Sequence, residues 1–126
     1  MRLNELRDKA FAYAEKQGFH EKPKNLGELL MLVVSELSEA LEADRNGKWC
    51  SLTEAEKELI PEEADRGWLK DWFEYNLRGK VEEELADAII RICDIAGIYG
   101  IDLEWHVRAK MAYNETRPYL HGKKYG

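Results

Sequence analysis

The sequence has little of what would staple a small secreted scaffold together or carry a chain into a bilayer. It holds only two cysteines, Cys50 and Cys93, too few and too far apart for a disulfide framework or a zinc cluster, so both read as reduced thiols in ordinary packing. No apolar run approaches the roughly 20 residues needed to span a membrane. The amino-terminal stretch "MRLNELRDKAFAYAEKQG" is charged throughout, unlike the core of a secretory signal, and a cytoplasmic location is expected. Surplus positive charge is also missing: the formal net charge is -6 and the pI is near 5.2. That balance argues against nucleic acid polymers and anionic membranes as partners, while leaving room for a local basic site that holds a phosphorylated small molecule. Alternating apolar and polar runs, internal repeats and low-complexity tracts are absent as well, so the expected class is all-α. A chain of 126 residues, 44% of them hydrophobic, suits one compact core and is short for two, which makes 1–126 a single expected domain.

Glycine, proline and asparagine divide what is there into helical blocks. The spacing predicts a first helix from Leu3 to Lys16 with Leu3, Leu6, Ala10, Phe11 and Ala14 along one stripe. Asn25 is placed to cap a second helix that runs to about Arg45, with Glu28 where the acid of a capping box belongs. Residues 46–79 mix acids with Trp49, Trp68, Trp72 and Phe73, and predict one or two short helices broken near Pro61. A third long helix follows from about Lys80, with Leu85, Ile89, Ile92 and Ala96 at core spacing, and stops at Gly100. The last helix, "LEWHVRAKMAYNETR", ends before Pro118.

Two pairs of acids stand inside the apolar blocks. Glu36 and Glu39 lie three apart among Leu29, Leu32, Val33, Leu37, Ala40 and Leu41, a spacing that sets both on one helix face, about 5 to 6 Å apart at Cβ. Glu84 and Asp87 repeat the device among Leu85, Ala86, Ala88, Ile89 and Ile90. A single such pair is common on solvated helices; two, each beside a core, call for positive charge close by, because an unpaired carboxylate there costs several kcal/mol. If the two helices lie side by side, the four acids converge and a hard divalent cation answers the need. Mg²⁺ is expected, with Mn²⁺ as its substitute. A di-iron site would want Glu-x-x-His pairs, which neither motif supplies. Asp94, two turns past Asp87, extends this patch or pairs with Arg91.

The last helix carries the opposite charge. Lys110, Asn114 and Arg117 fall on one face, and His121, Lys123 and Lys124 follow. Such a group can hold a polyphosphate through charge-assisted hydrogen bonds, or it can simply be a solvated helix end where cations are favourable.

In order along the chain, "SELSEALEADR", "EEELADAII" and "KMAYNETRPYLHGKKYG" resemble the MazG-like nucleotide pyrophosphohydrolases of the all-α NTP pyrophosphohydrolase superfamily. The resemblance implies a four-helix bundle in which the short-helical segment 46–79 is an insertion between the second and third core helices, since forty-four residues separate Glu39 from Glu84. It further implies a Mg²⁺-dependent enzyme that splits a nucleoside triphosphate between its α and β phosphates to give the monophosphate and pyrophosphate, as a house-cleaning hydrolase of the nucleotide pool. Glu36, Glu39, Glu84 and Asp87 would be metal ligands, and Lys110, Asn114, Arg117 and Lys123 phosphate contacts, in a homodimer or homotetramer.

Hydrolysis also needs an acceptor for the proton of the attacking water, and Glu39, with Glu36 nearly as well placed, is the expected general base. Base selection is not legible: Phe19, His20, Trp49 and Trp72 can stack on a base, but each reads first as structural. The insertion can cover the base, fill a subunit interface or extend the core, with the last two favoured. Two other readings stand beside this one, a noncatalytic helical interaction module and a relative of the phosphoribosyl-ATP pyrophosphohydrolases.

Overall fold

The computed structural model describes residues 1–122. Lys123 and Lys124, and the side chain of His121, lie outside the described residues. Among the described residues every regular element is helical: α1 (Leu3–Lys16), α2 (Leu26–Arg45), α3 (Arg66–Asn76), α4 (Val81–Ile98) and α5 (Leu103–Glu115), with 3-10 turns at Glu56–Glu58, Pro61–Glu63 and Tyr119–Gly122. No helix among them is long and apolar enough to cross a membrane.

Local chemistry sets the helix starts. The Asn25 side chain accepts the Glu28 backbone N–H at 2.8 Å, Asp65 accepts that of Trp68 at 3.0 Å and Asp102 that of Trp105 at 3.1 Å, each satisfying a donor that the first turn leaves without an intrahelical partner. At α4 the bond runs the other way along the chain: Glu83 Oε1 accepts the Gly79 N–H at 2.8 Å. Past the end of α4, Gly100 takes φ +62°, the left-handed turn that stops the helix without a Cβ clash.

The chain divides into two compact units, one of Asn25–Arg91 and one of Met1–Lys24 with Ile92–Gly126. In the first, the strand of chain leaving α2 is tied to the start of α4 by Val81 N–H to the Lys48 carbonyl, 2.9 Å, and by Cys50 N–H to Glu82 Oε1, 2.9 Å. The Glu36–Arg91 bond joins the same two helices further along, so α2 and the first part of α4 run antiparallel. The segment 46–79 forms α3 and two 3-10 turns, one of them opened by Pro61. None of its residues is buried: Trp68 and Trp72 stack on each other at 5.8 Å, and the Trp49 indole N–H is spent on Asp44 at 3.0 Å. Leu69, Trp72, Phe73 and Leu77 of this segment are half-buried.

In the second unit α1 packs on α5, and Ala10, Ala14, Cys93, Ile95 and Ala96 are buried. Asn4 links the elements twice, donating to Asp102 at 2.9 Å and accepting the Glu104 N–H at 3.1 Å. Gly97 is required by close approach, since a Cβ there would stand 2.6 Å from Phe11 Cβ. His20 is clamped between Glu15 (Nδ1, 2.6 Å) and Asp94 (Nε2, 2.9 Å) with Phe11 against its ring at 4.9 Å. Burial disfavours the charged imidazole, but the two carboxylates outweigh it and hold the His20 pKa above the ordinary value.

Of the expected core positions of the third long helix, Ala96 is buried and the other three need correcting. Leu85, Ile89 and Ile92 are 45%, 49% and 41% exposed, and the covered stripe is Val81, Glu84, Ala88 and Ile95. In α2 the covered stripe is likewise Val33, Glu36, Ala40 and Ala43, while Leu30, Val34, Leu37 and Leu41 stay about half exposed. Both helices are apolar on more than one face. Periodicity shows that a face is apolar, not which face the chain itself covers.

Candidate functional site

Glu36, Glu39, Glu84 and Asp87 all lie in the Asn25–Arg91 unit, and Asp94 lies in the other. Glu36 and Glu39, one turn apart on α2, meet Glu84 from the first turn of α4, each offering an oxygen within 4.8 Å of the others. Glu36 and Glu84 are 7% and 9% exposed, whereas Glu39 faces solvent. The two buried acids stand in the covered stripes of their helices, Glu36 between Val33 and Ala40 on α2 and Glu84 between Val81 and Ala88 on α4.

Asp87 does not join that trio. Its oxygen groups instead with Glu83 and Glu84, again within 4.8 Å, so the expected cluster of four resolves into two overlapping triads that share Glu84. Glu83 was missed by the spacing argument. The signal was present, since Glu83 and Asp87 stand four apart on α4 and four residues also bring side chains to one face.

The electrostatics follow from burial and crowding. Glu84 is pushed up to about 8, first by loss of water, then by hydrogen bonds with Glu39 and Glu36 and by the charges of Glu39 and Glu83, so near neutrality it carries a proton that its neighbours share. One of its oxygens, Oε2, is fully buried with no hydrogen-bond partner. Asp87 is also raised, by burial and by the charges of Glu36 and Glu83, with Arg91 opposing. Glu36 goes the other way. Burial alone would raise it, but the Arg91 Nε–H donates to its Oε1 at 2.8 Å, and that bond, with the proton shared from Glu84, holds its carboxyl below the usual range. Among the described residues Arg91 is the one cation that pairs with any of these acids.

This replaces both expectations for Asp94. It neither extends the patch nor pairs with Arg91, because it is the His20 partner described above. Phe19 is 63% exposed.

The predicted phosphate contacts belong to the other unit. Lys110 Nζ and the Arg117 guanidinium both lie over the Tyr113 ring, at 4.9 and 5.7 Å, a cation–π seat that gathers two positive charges around one aromatic. α5 ends at Glu115, so Arg117 sits beyond the helix rather than on its face and its N–H bonds to the Asn114 carbonyl at 3.1 Å. Asn114 Oδ1 is buried without a donor, and a phosphate oxygen, itself an acceptor, cannot supply one.

Chemically, the acidic trio suits a hard cation. It is all oxygen, it comes from two rigid helices, and a buried carboxylate oxygen without a donor is what a metal ion or a proton satisfies. Comparisons of the chain with protein-family models, with curated proteins and with solved structures found no match.

Proposed function

We propose that the protein is a Mg²⁺-dependent nucleoside triphosphate pyrophosphohydrolase of the MazG-like kind, releasing pyrophosphate by hydrolysis between the α and β phosphates. One observation carries the reading: three carboxylates from α2 and α4 each offer an oxygen within 4.8 Å of the others, and one of them, Glu84, has a buried Oε2 without a hydrogen-bond partner. Charge crowded in this way, with one arginine against it, is a poor way to stabilise a fold and a good way to hold a divalent ion. A hard cation bound there neutralises phosphate oxygens and makes the phosphorus more open to attack. Glu36, Glu39 and Glu84 would hold it, with Asp87 and Glu83 forming a second triad through Glu84. Glu39 is the acid of the trio that faces solvent, and so the one placed to orient a water and take its proton. Lys110, Asn114 and Arg117 enter the proposal from the sequence alone, as groups that would grip phosphates.

The stripe Leu30, Val34, Leu37 and Leu41, at heptad-like spacing and about half exposed on α2, favours the expected homodimer or homotetramer, because contiguous aliphatic surface of this kind is usually covered. The same stripe is what an interaction module without catalysis would present, and one assay separates the two. The protein is incubated with Mg²⁺ and a panel of common and modified nucleoside triphosphates, phosphoribosyl-ATP included, and pyrophosphate and orthophosphate are followed together. Pyrophosphate released first, and lost with EDTA or in Glu39→Ala, supports the enzyme. Orthophosphate as first product places cleavage at another bond, and a folded protein inert to the whole panel leaves the module.

A further inference from the structure

Arg91 is the last residue of the unit that holds the acids, one helical turn past Asp87 on α4. Its guanidinium has two distinct edges. The inner Nε–H is committed to Glu36 Oε1 at 2.8 Å, while the side chain as a whole is 42% exposed and forms no other ion pair or hydrogen bond among the described residues. Glu36 itself is buried, so the bond ties the guanidinium to the acidic trio through Nε and leaves its four Nη–H donors without a partner among the described residues. A guanidinium serving only to neutralise Glu36 would gain most by facing it with two donors, as a bidentate pair. The single Nε contact leaves the fork for something else.

We propose that Arg91 is a phosphate contact of this site, its inner edge held by Glu36 and its outer edge receiving an oxygen of a metal-bound polyphosphate. The inference rests on the cation-binding reading of the trio and deepens it by naming the group that receives the anion. A polyphosphate carried by a cation between Glu36, Glu39 and Glu84 presents its oxygens at the rim where the fork is exposed. Planar, bidentate capture of phosphate is the geometry that arginine supplies and lysine does not. Sequence reasoning offered Arg91 a neighbour on its own helix, Asp94, as one of two alternatives, and only the tertiary structure gives it Glu36.

The test uses the intact protein with two probes, Mg²⁺ alone and inorganic tripolyphosphate in saturating Mg²⁺, each titrated by calorimetry into wild type, Arg91→Gln and Arg91→Lys. Glutamine keeps a donor for Glu36 and removes the charge and the fork. The expected result is tripolyphosphate affinity reduced about 10- to 100-fold in Arg91→Gln, the range for losing hydrogen bonds to a charged group, with Mg²⁺ alone bound as tightly or more so because a repelling charge has gone. Arg91→Lys should recover part of the loss. If Arg91→Gln weakens Mg²⁺ and tripolyphosphate equally, Arg91 only positions Glu36 and the proposal is overturned, as it is if tripolyphosphate binds both variants like wild type. Failure of wild type to bind tripolyphosphate in a Mg²⁺-dependent way removes the cation site and Arg91's role with it, an outcome distinct from the other two. Should Arg91→Gln not fold by circular dichroism, Arg91→Lys decides: unchanged tripolyphosphate affinity there overturns the bidentate contact.

Discussion

Because Glu84 holds its proton to about 8, a cation that takes its carboxylate must first displace that proton, and binding becomes pH-linked with a computable size. With one proton competing at pKa about 8, apparent Mg²⁺ affinity should rise about 25-fold from pH 6.5 to pH 8.5 and then level off. At pH 7 each ion bound should release about 0.9 proton, and at pH 9 about 0.1, by the same equilibrium. Calorimetric titration in two buffers of different ionisation enthalpy reads the proton count directly, and the pH series reads the affinity. Glu84→Gln is the control, since it is neutral at every pH: it should bind Mg²⁺ more weakly and lose most of the slope. Affinity that stays level across this range, or a slope that persists in Glu84→Gln, refutes the assignment of the shared proton to Glu84.

The same groups set the stability of the metal-free protein. Glu84 has a folded pKa above its unfolded one, so the native chain binds the extra proton between about 4.5 and 8 and unfolding free energy falls there by up to about 1.4 kcal/mol per pH unit. His20, also raised, contributes stability that is complete below pH 6.5 and lost as pH rises through its folded value, while Glu36, lowered, contributes above pH 4.5 and loses it on acidification. Scanning calorimetry without metal should therefore give a melting temperature that falls from pH 6 to 8.5 and flattens with Mg²⁺; a rise over that window contradicts the scheme. Gly97→Ala should destabilise by about 1–3 kcal/mol in chemical denaturation through overpacking against Phe11 Cβ, opposite in sign to the roughly 1 kcal/mol that alanine gains over glycine in a helix. Asn25→Ala should cost about 1 kcal/mol in chemical denaturation by removing the α2 cap.

Much of the helical map was legible because it depends on residues within a turn or two of each other. The first-helix stripe, with Ala10 and Ala14 at its centre, the Asn25 cap, the break at Pro61 and the stop at Gly100 all follow from local spacing and backbone chemistry. Core faces were less legible. Leu85, Ile89 and Ile92 are as apolar as anything in α4, yet the covered stripe is built on Val81, Glu84 and Ala88, and nothing in a pattern of hydrophobicity ranks one apolar face above another.

What the sequence by itself determined is that this chain is helical and that each long helix at the site carries acids one turn apart, since helix formation and the facing of i and i+3 residues are closed within a few positions. Tertiary structure alone decided which acids meet. It set Glu36 and Glu39 against Glu84, moved Asp87 to Glu83, and gave Glu36 to Arg91 across 55 residues and Asp94 to His20 across 74. Those pairings depend on the rotation and axial shift of one helix or loop against another, and a few degrees or one residue of slip would exchange every partner while leaving the local pattern of each helix unchanged.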